Sequence, residues 1–396
     1  MSFESELKSD EALRRQRMQE KKPQVFEKLA KYSEKVAKGE SIAILQFQYD
    51  YLCNFACEHC SADDYMLNTR EKKKKYKQAR SFTFDDVREL SRQGDEMGLA
   101  NVVITGGEPM TYKDFDQLVE ALDPSKWYIA SDTNGWFFDL ERAKHVKSIG
   151  VDKIQISLDG LDEKQHDEFR KKPGSYKRVM RAIEAAKAVG LDLNLSTVAW
   201  KSRVRSGEFE RFIEWADKNK LPLYISLAKP VGSYAGRIEE VCDSSDIEYI
   251  DQLCATHSSF THWTPSYGMD IGCIAVKRMV SISRYGDVMP CPYTHISLGN
   301  FFKEPLKEII DRALGIKLFA FGKKETCYIG NLDHEFIHKH LPRYQDKYNE
   351  VYSAPYTEVF TAEDFIGGRV LPSPSFSGSE YRVSLDSLKN TLSKKT

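Results

Sequence analysis

The stretch SIAILQFQYDYLCNFACEHC, residues 41–60, joins a β-rich run to three closely spaced cysteines. Cys53, Cys57 and Cys60 have the spacing C-x3-C-x2-C, and thiolates are soft ligands suited to iron–sulfur clusters or zinc. Three ligands on one tight loop leave one iron of a [4Fe–4S] cube without a protein ligand, whereas a structural zinc site needs four closed ligands. The stretch therefore favours a cluster with one open iron; a zinc knuckle or buried free thiols are the alternatives.

Beyond this stretch, β-rich and helical segments alternate along the chain. The strand-like runs are Ala43–Tyr49, Asn101–Ile104, Trp127–Ala130, Lys153–Leu158, Asp192–Val198 and Leu223–Leu227. The helical patterns lie near Phe84–Met97, Phe115–Leu122, Leu140–Ser148, Ser175–Val189 and Gly207–Asn219. Six strands alternating with helices predict an α/β fold in which a parallel sheet curls into a partial (β/α)6, TIM-like barrel.

Polar and glycine-rich loops follow four of these strands. The cysteines follow the first strand, Gly106–Pro109 the second and Ser131–Gly135 the third, and Ser157–Gly160 closes the fourth. In parallel α/β folds, functional groups gather in the loops after the carboxyl ends of the strands. One face of the barrel is therefore predicted to carry the active site.

The cysteine spacing, with the aromatic-type residue His59 just before Cys60, resembles the signature of the radical S-adenosylmethionine (SAM) superfamily. The resemblance implies that Cys53, Cys57 and Cys60 hold a [4Fe–4S] cluster whose open iron binds the amino and carboxylate groups of SAM. Reductive cleavage of SAM in that family gives methionine and a 5′-deoxyadenosyl radical, which abstracts a hydrogen atom from the substrate. The chain is thus expected to be an enzyme with SAM and a cluster as cofactors.

Further positions match the family's SAM-binding segments, and their roles are implied by the resemblance. The glycine-rich segment would approach the SAM amino group, the fourth-strand segment its carboxylate, and the fifth strand its ribose. The corresponding residues are Gly106, Gly107 and Glu108 for the amino group, Ser157 and Arg170 for the carboxylate, and Thr197 for the ribose.

A second cysteine group lies in the C-terminal half. Cys273, the segment Arg284–Cys291 and Leu298–Asn300 resemble the SPASM/Twitch extension, which carries an auxiliary [4Fe–4S] cluster. A turn at Gly286 is expected to bring Cys291 back near Cys273, and Cys327 would be the third ligand. The fourth ligand site is left open, or filled by one of Asp333, His334, His340, Cys242 and Cys254. Gly330, Phe336 and His340 replace the family's next cysteines, so a second auxiliary cluster is not expected.

Composition and segment boundaries complete the expected organisation. The formal net charge of −1 gives no pull toward nucleic acid or membrane, and the charged N-terminus lacks a signal sequence, so a cytoplasmic location is expected. The predicted units are an N-terminal helical extension over 1–40, the barrel over 41–235, a bridge over 236–267, the cluster domain over 268–345 and a tail over 346–396. The basic run Lys72–Lys77 is either a solvated loop or a docking site. The docking partner would be an acidic electron donor of the flavodoxin or ferredoxin type, or an anionic substrate.

The substrate is less constrained than the cofactors. SPASM/Twitch relatives include peptide maturases and enzymes that oxidise or epimerise sugars and aminocyclitols. Hydrogen abstraction is predicted to lead to redox or bond-forming modification of a peptide or a small natural product, with a sugar or aminocyclitol dehydrogenase or epimerase as the alternative. Residues 1–40 are short for a leader-binding domain, which weakens the peptide hypothesis without removing it. Remote alternatives are a non-catalytic electron carrier and a zinc peptidase using the H-E-x-x-H match at His334–His338.

Overall fold

The computed structural model describes residues 16–66, 69, 79–343 and 353–376. Within them, a continuous sheet has the strand order β11-β9-β8-β1-β2-β3-β4-β5-β6-β7. Its parallel strands are β1 Ile44–Asp50, β2 Asn101–Gly106, β3 Tyr128–Thr133, β4 Lys153–Ser157, β5 Asp192–Ala199, β6 Leu223–Leu227 and β7 Ser259–Phe260. Strand β8, Met279–Ser283, adds to the other edge in parallel with β1, and β9, Asp287–Met289, and β11, Gly299–Asn300, continue antiparallel. The predicted α/β fold with a parallel sheet is confirmed.

Helices connect the parallel strands. They are α3 Phe84–Glu96, α4 Phe115–Leu122, α5 Leu140–Ser148, α6 Glu163–Arg170, α7 Ser175–Val189, α8 Lys201–Arg205, α9 Glu208–Lys218 and α10 Ser244–Thr256, after α1 Pro23–Ala30 and α2 Tyr32–Ala37. A capping box between Thr83 and Asp86 starts α3, and the Asp162 carboxylate caps α6. Helix α6 is too polar to show a helical hydrophobic period, which is why the sequence did not predict it.

The segment expected to bridge the two domains, 236–267, extends the barrel pattern instead. Helix α10 follows β6 and leads to β7, where Leu223 and Tyr224 pair in parallel with Ser259 and Phe260. A two-residue strand gives almost no periodic signal in a sequence. The sheet therefore has two more parallel strands than the six predicted, β7 beside β6 and β8 beside β1.

The two ends of the described chain pack on the main body. Val25 and Tyr32, from α1 and α2, are buried in a small cluster that contains Ile42 and Ala100. Near the other end, residues 353–376 do not form the predicted extended tail. Their aromatic side chains, including Tyr356 and Phe365, are buried in the core.

This C-terminal stretch contains β12, Ala354–Pro355, paired with β10, Ile296–Ser297, and the short helix α13, Tyr356–Val359. Two further helices, α11 Leu306–Leu314 and α12 Glu335–Lys339, lie between β11 and β12 in the chain. No helix in the described ranges combines the length and apolar character that a membrane crossing needs.

Candidate active site

A cavity of about 630 Å³ opens inside the barrel. It collects most of the predicted cofactor residues, which come from the loops after β1, β2 and β4: Cys53, Cys57, Cys60, Gly106, Gly107, Glu108, Ser157 and Arg170. Deeper walls come from polar side chains of the strands, including Asp132, Gln155, Ser196 and Tyr224. The carboxyl ends of the parallel strands therefore place the expected SAM and cluster residues around one space.

The cysteine loop is fastened to the glycine-rich loop by backbone hydrogen bonds. The Gly107 amide donates to the Asp50 carbonyl at 2.8 Å, and the Glu108 amide donates to the Leu52 carbonyl at 2.8 Å. A Cβ on Gly107 would lie 2.1 Å from the Leu52 carbonyl oxygen, and Gly106 has φ +120°. Only glycines allow this approach, so the two segments that the sequence analysis treated separately form one structural unit.

Aromatic rings support the other side of the cysteine loop. His59 stacks on Phe169 of α6 with a centroid distance of 4.7 Å, and Phe169 stacks on Trp200 at 4.6 Å. The Glu58 amide donates to the Phe169 carbonyl, so the backbone is held as well. Burial lowers the pKa of His59 to about 3, so this imidazole is neutral and serves as a packing surface.

Gly232, a residue that sequence analysis missed, lies against the last cysteine. Its φ is +59°, and a Cβ there would come within 2.2 Å of the Cys60 carbonyl oxygen. The Ser233 amide donates to that same carbonyl at 3.0 Å. The sequence feature that could have identified Gly232 is its position. It follows β6, so it lies at the same carboxyl edge of the sheet as the other functional loops.

The three thiols of this loop have the chemistry of cluster ligands. Burial raises the pKa of all three, to about 12 for Cys53, where the nearby Glu108 carboxylate adds to the effect. Thiolates desolvated in this way need a metal to stabilise their charge. Among the described residues, no three His, Cys, Asp or Glu side chains converge as ligands of a single ion, whereas a cubane cluster spreads its thiolates over separate irons. The thiols lining one cavity therefore suit a cluster.

Glu108 is a buried carboxylate without a cationic partner in the described part of the chain. It accepts hydrogen bonds from the Thr133 hydroxyl at 2.7 Å, the Asn134 amide at 2.7 Å and the Met110 amide at 3.0 Å. Burial raises the pKa of Glu108 to about 7, although these hydrogen bonds act against that rise. A carboxylate offers about four lone-pair positions. One position is thus left for a cation in the cavity, and an ammonium group fits it.

We expect Glu108→Ala to weaken SAM binding roughly ten-fold to a hundred-fold, because a hydrogen bond to a charged group contributes about 1.5–3 kcal/mol. Equilibrium titration of the reconstituted protein with SAM measures this. Thr133→Val is the matched control, since it removes one donor to the carboxylate and keeps the charge; its effect should be a few-fold at most. Equal SAM affinities in wild type and Glu108→Ala would contradict the assignment.

Arg170 lines the cavity but is already engaged. Its guanidinium pairs with Asp159 at 2.5 Å and lies 3.7 Å from the Cys57 sulfur. Asp159 is fully buried and also accepts from the Val198 amide at 2.9 Å. Burial opposes the charged form of Asp159, but Arg170 outweighs it and holds the pKa of this carboxyl below its usual range. The contact of Arg170 with the SAM carboxylate stays a prediction; in the structure the guanidinium contacts the cysteine loop at Cys57.

Thr197 does not line the cavity, contrary to its predicted place at the ribose. Its hydroxyl donates to Asp159 at 3.1 Å and accepts from Arg203 at 2.9 Å, while its neighbours Ser196 and Val198 line the cavity. Side chains alternate along a strand, so a shift of one residue moves a side chain to the opposite face. Ser157, by contrast, lines the cavity, and its contact with the SAM carboxylate stays a prediction.

Removing Asp159 should destabilise the fold, because its loss leaves the Arg170 charge buried and unpaired. We expect Asp159→Ala to lower the free energy of unfolding by about 3–5 kcal/mol, measured by chemical denaturation of the reduced, metal-free protein. Asp85→Ala is the control: it removes the carboxylate of the surface pair with Arg88, whose contribution should be far smaller. An Asp159→Ala protein as stable as Asp85→Ala would show that the buried pair does not support the fold.

The second cysteine group lies behind the cavity wall. Strands β8 and β9 form the hairpin expected at Gly286, whose φ is +85°. Burial raises the pKa of Cys273, and the nearby Cys327 and Cys291 thiols add to this rise. Cys291 lies 3.3 Å from the Thr294 hydroxyl and 3.7 Å from the Tyr328 hydroxyl. Cys291 and Cys327 thus lie within electrostatic range of Cys273, and their role as ligands of one cluster stays a prediction.

Four of the five residues considered for the fourth ligand have contacts of their own. His334 lies 3.1 Å from Glu325, the Asp333 carboxylate accepts from the Ser244 amide, and His340 faces Asp364. The Cys242 sulfur points to the Ala199 carbonyl, and the ionisable neighbour of Cys254 is Asp251. None of these contacts is with Cys273, Cys291 or Cys327.

Close packing surrounds Gly330, Phe336 and His340, the positions at which the family has its next cysteines. Phe336 packs on Tyr328 with a centroid distance of 4.8 Å and on His340 at 5.5 Å. A Cβ on Gly330 would come within 2.9 Å of Leu227, so the chain here is close-packed on the barrel. These three positions offer no thiol.

The H-E-x-x-H match does not form a zinc-protease helix. His334 caps the five-residue helix α12, and its Nδ1 accepts from the Phe336 amide. His338 lies on the helix, and its ring contacts the Leu332 carbonyl at 2.9 Å. The two imidazoles have separate partners instead of sharing one helical face. The basic run Lys72–Lys77 lies outside the described residues.

Comparison with known proteins agrees with this geometry. A model of the radical SAM superfamily matches residues 51–215, and one of SPASM, an iron–sulfur cluster-binding domain, matches 273–329. The chain is 30% identical over 268 residues to the mycofactocin maturase MftC of Mycobacterium ulcerans, covering 63% of this chain and 68% of MftC. It is 26% identical over 315 residues to the AdoMet-dependent heme synthase of Nitratidesulfovibrio vulgaris, covering 72% and 83% of the two chains.

Among solved structures, Streptococcus suis SuiB bound to the precursor peptide SuiA is similar with a TM-score of 0.55 and 19% identity, over 77% of this chain and 78% of that chain. This likeness shows the fold alone. The resemblances drawn from the cysteine spacings are confirmed by the two domain matches and by the similarity to MftC. The chain belongs to the radical SAM superfamily, as a SPASM-containing enzyme that uses SAM, a [4Fe–4S] cluster and auxiliary iron–sulfur chemistry.

Proposed function

We propose that Cys53, Cys57 and Cys60 hold the catalytic [4Fe–4S] cluster and that SAM binds beside them against the Gly106–Glu108 loop and Ser157. The observation that carries this proposal is that all these residues line one cavity. The cluster, when bound, supplies the electron that cleaves SAM. The protein's own residues hold the cysteine loop in place, accept the SAM ammonium at Glu108 and exclude bulk water.

We propose a peptide as the substrate, modified by hydrogen abstraction that leads to oxidation or bond formation. Support comes from the similarity to the mycofactocin maturase MftC, which is the relative with 30% identity. The deeper cavity wall is polar, and Tyr293 is one of its residues. Tyr293 follows Cys291 by two positions, so this part of the wall lies on the side of Cys273, Cys291 and Cys327. A substrate in this space would lie between SAM and the auxiliary cluster that these three cysteines are proposed to bind.

The test is anaerobic reconstitution with iron and sulfide, followed by reduction with dithionite and measurement of 5′-deoxyadenosine. SAM cleavage is expected without substrate, and it should accelerate when the correct peptide is added. Short peptides encoded beside this gene are the first candidates, each assayed by mass spectrometry for a mass loss of two hydrogens or another defined change. Failure to cleave SAM with a full complement of iron would overturn the proposal.

A second candidate substrate is a tetrapyrrole, favoured by the long alignment with the AdoMet-dependent heme synthase, which covers 83% of that relative. Porphyrin precursors absorb visible light strongly. A spectral shift on adding such a precursor, with SAM turnover, would select this candidate over a peptide.

The unit boundaries and the electron donor complete the proposal. The barrel of 41–235, extended by α10 and β7, and the cluster domain of 268–345 are proposed as the two functional units. The SPASM match lies within the second. A flavodoxin- or ferredoxin-type protein is proposed to deliver the electron, since SAM cleavage consumes one. Salt-dependent reduction of the cluster by such a donor would test the role of the basic run Lys72–Lys77.

A further inference from the structure

The cavity holds more buried positive charge than its own acids neutralise. Among its lining residues, Arg170 is paired with Asp159, and Lys153 lies near enough to Asp132 to lower the pKa of that carboxyl against the effect of burial. Glu108 is assigned to the SAM ammonium. Two lining cations, Lys229 and Arg278, remain without a carboxylate partner among the described residues.

Arg278 is the less satisfied of the two. It is 8% exposed, and one of its guanidinium nitrogens donates to the His262 carbonyl at 3.1 Å. Its buried Nε has no hydrogen-bond partner. A guanidinium has five N–H donors arranged to match a carboxylate, and a buried charge without a partner is costly. The Arg278 side chain, which lines the cavity, is therefore a buried charge that lacks an anionic partner.

Lys229 adds a second positive charge to the same cavity. Its ammonium donates to the Ser226 hydroxyl at 2.9 Å and the Leu227 carbonyl at 2.6 Å, and it lies 3.9 Å from the centre of the Tyr293 ring. These three partners are neutral, and burial lowers the pKa of Lys229 although the neighbouring thiols act against this, so an anion in the cavity would stabilise its charged form. His262 lines the cavity with both cations, and its carbonyl accepts from Arg278. Burial lowers the pKa of the His262 imidazole, and the charges of Lys229 and Arg278 add to this effect.

We propose that this part of the cavity is a subsite for a carboxylate group of the substrate, with Arg278 as the direct donor and Lys229 as a second attracting charge. The proposal rests on the proposed function and narrows its substrate class to molecules that carry a carboxylate, at a peptide terminus or on a small acid. A neutral peptide segment or a neutral sugar would leave both cations unpaired.

The alternative role for Lys229 and Arg278 is to offset the negative charge of an auxiliary cluster, because thiols of the cysteine group Cys273, Cys291 and Cys327 also lie near them. Experiment must distinguish this role from carboxylate binding. An auxiliary cluster carries negative charge, which Lys229 and Arg278 would partly offset. In that case, substrate carboxylates would gain nothing from the two side chains, whereas the electron paramagnetic resonance (EPR) signal of the reduced auxiliary cluster would depend on them.

The test uses reconstituted, SAM-loaded enzyme and two pairs of probes of similar shape, titrated by calorimetry. The first pair is benzoate and benzamide, which stand for a small acid; the second is N-acetyl-Gly-Phe with a free carboxylate or an amide, which stands for a peptide terminus. We expect the carboxylate member of one pair to bind roughly ten-fold to a hundred-fold more tightly than its amide. The pair with the larger ratio identifies the source of the carboxylate.

Variants then assign the preference to these side chains. Arg278→Leu should remove most of the carboxylate preference, Lys229→Met should reduce it, and Arg278→Lys should keep much of it because the charge remains. Iron content and uncoupled SAM cleavage show whether each variant is folded and loaded, and they also report separately on the proposed function. Equal binding of acids and amides by the wild type would overturn the proposal. So would an unchanged preference in Arg278→Leu accompanied by an altered auxiliary-cluster EPR signal.

Discussion

Replacing Cys53, Cys57 and Cys60 together with alanine is expected to abolish SAM cleavage and leave about half of the reconstituted iron, because one of two proposed clusters would be lost. The remaining iron would belong to the group at Cys273, Cys291 and Cys327. Iron and sulfide analysis gives the stoichiometry, and chromatographic detection of 5′-deoxyadenosine gives the activity. The effect on cleavage should be complete, since no other thiol lines this part of the cavity among the described residues.

Cys254→Ala is the matched control for loss of a thiol. Cys254 is half-buried on α10, and its ionisable neighbour is Asp251 rather than another cysteine. This variant should keep full iron content and full SAM cleavage. Formation of 5′-deoxyadenosine by the triple variant would show that the catalytic cluster is held elsewhere.

The barrel and its functional edge could be predicted because their signals are local. Each parallel strand is a short apolar run followed by a loop of unusual composition, as in β1 with Cys53 and β2 with Gly106. Parallel connectivity then forces the loops to one edge of the sheet. Knowing the order of strands was enough to bring the cysteine and glycine segments together without knowing any side-chain position.

The elements that escaped prediction depend on long-range contacts. Thr197 was placed on the wrong face because the face depends on a register of one residue, which Asp159 and Arg203 fix in space. Residues 353–376 pack through scattered aromatic side chains such as Tyr356 and Phe365, which have no helical or strand period. Arg278 directly precedes β8, and only pairing of β8 with β1 brings it to the cavity.

The difference between local sequence signals and long-range contacts also explains why the second cysteine group is harder to interpret than the first. Cys273, Cys291 and Cys327 are spread over 55 positions and meet through a hairpin and a turn. The resemblance to SPASM supplied the three ligands, but the structure was needed to show that four of the five side chains considered for the fourth ligand have other partners. Either an open iron or a ligand of another kind is therefore expected, and the role of this cluster has to be tested through catalysis.

Cys327→Ala is expected to spare SAM cleavage while abolishing formation of the modified product. The SAM residues belong to the loops after β1, β2 and β4, and none of them contacts Cys327 in the structure. Losing a ligand of the auxiliary cluster would remove the acceptor for the substrate's electron, or the iron that holds a substrate heteroatom. The measurement is the ratio of product to 5′-deoxyadenosine, which should fall from near one to almost nothing.

Cys242→Ala controls for removal of a buried thiol, because the Cys242 sulfur lies 3.8 Å from the Ala199 carbonyl as its hydrogen-bond partner. It should keep the product ratio of the wild type. EPR of the reduced Cys327→Ala protein, with and without substrate, then separates the two roles. A substrate-dependent auxiliary signal in the wild type that disappears in the variant supports an open iron; a signal indifferent to substrate supports electron transfer. Full product formation by Cys327→Ala would show that the second cysteine group only caps the barrel.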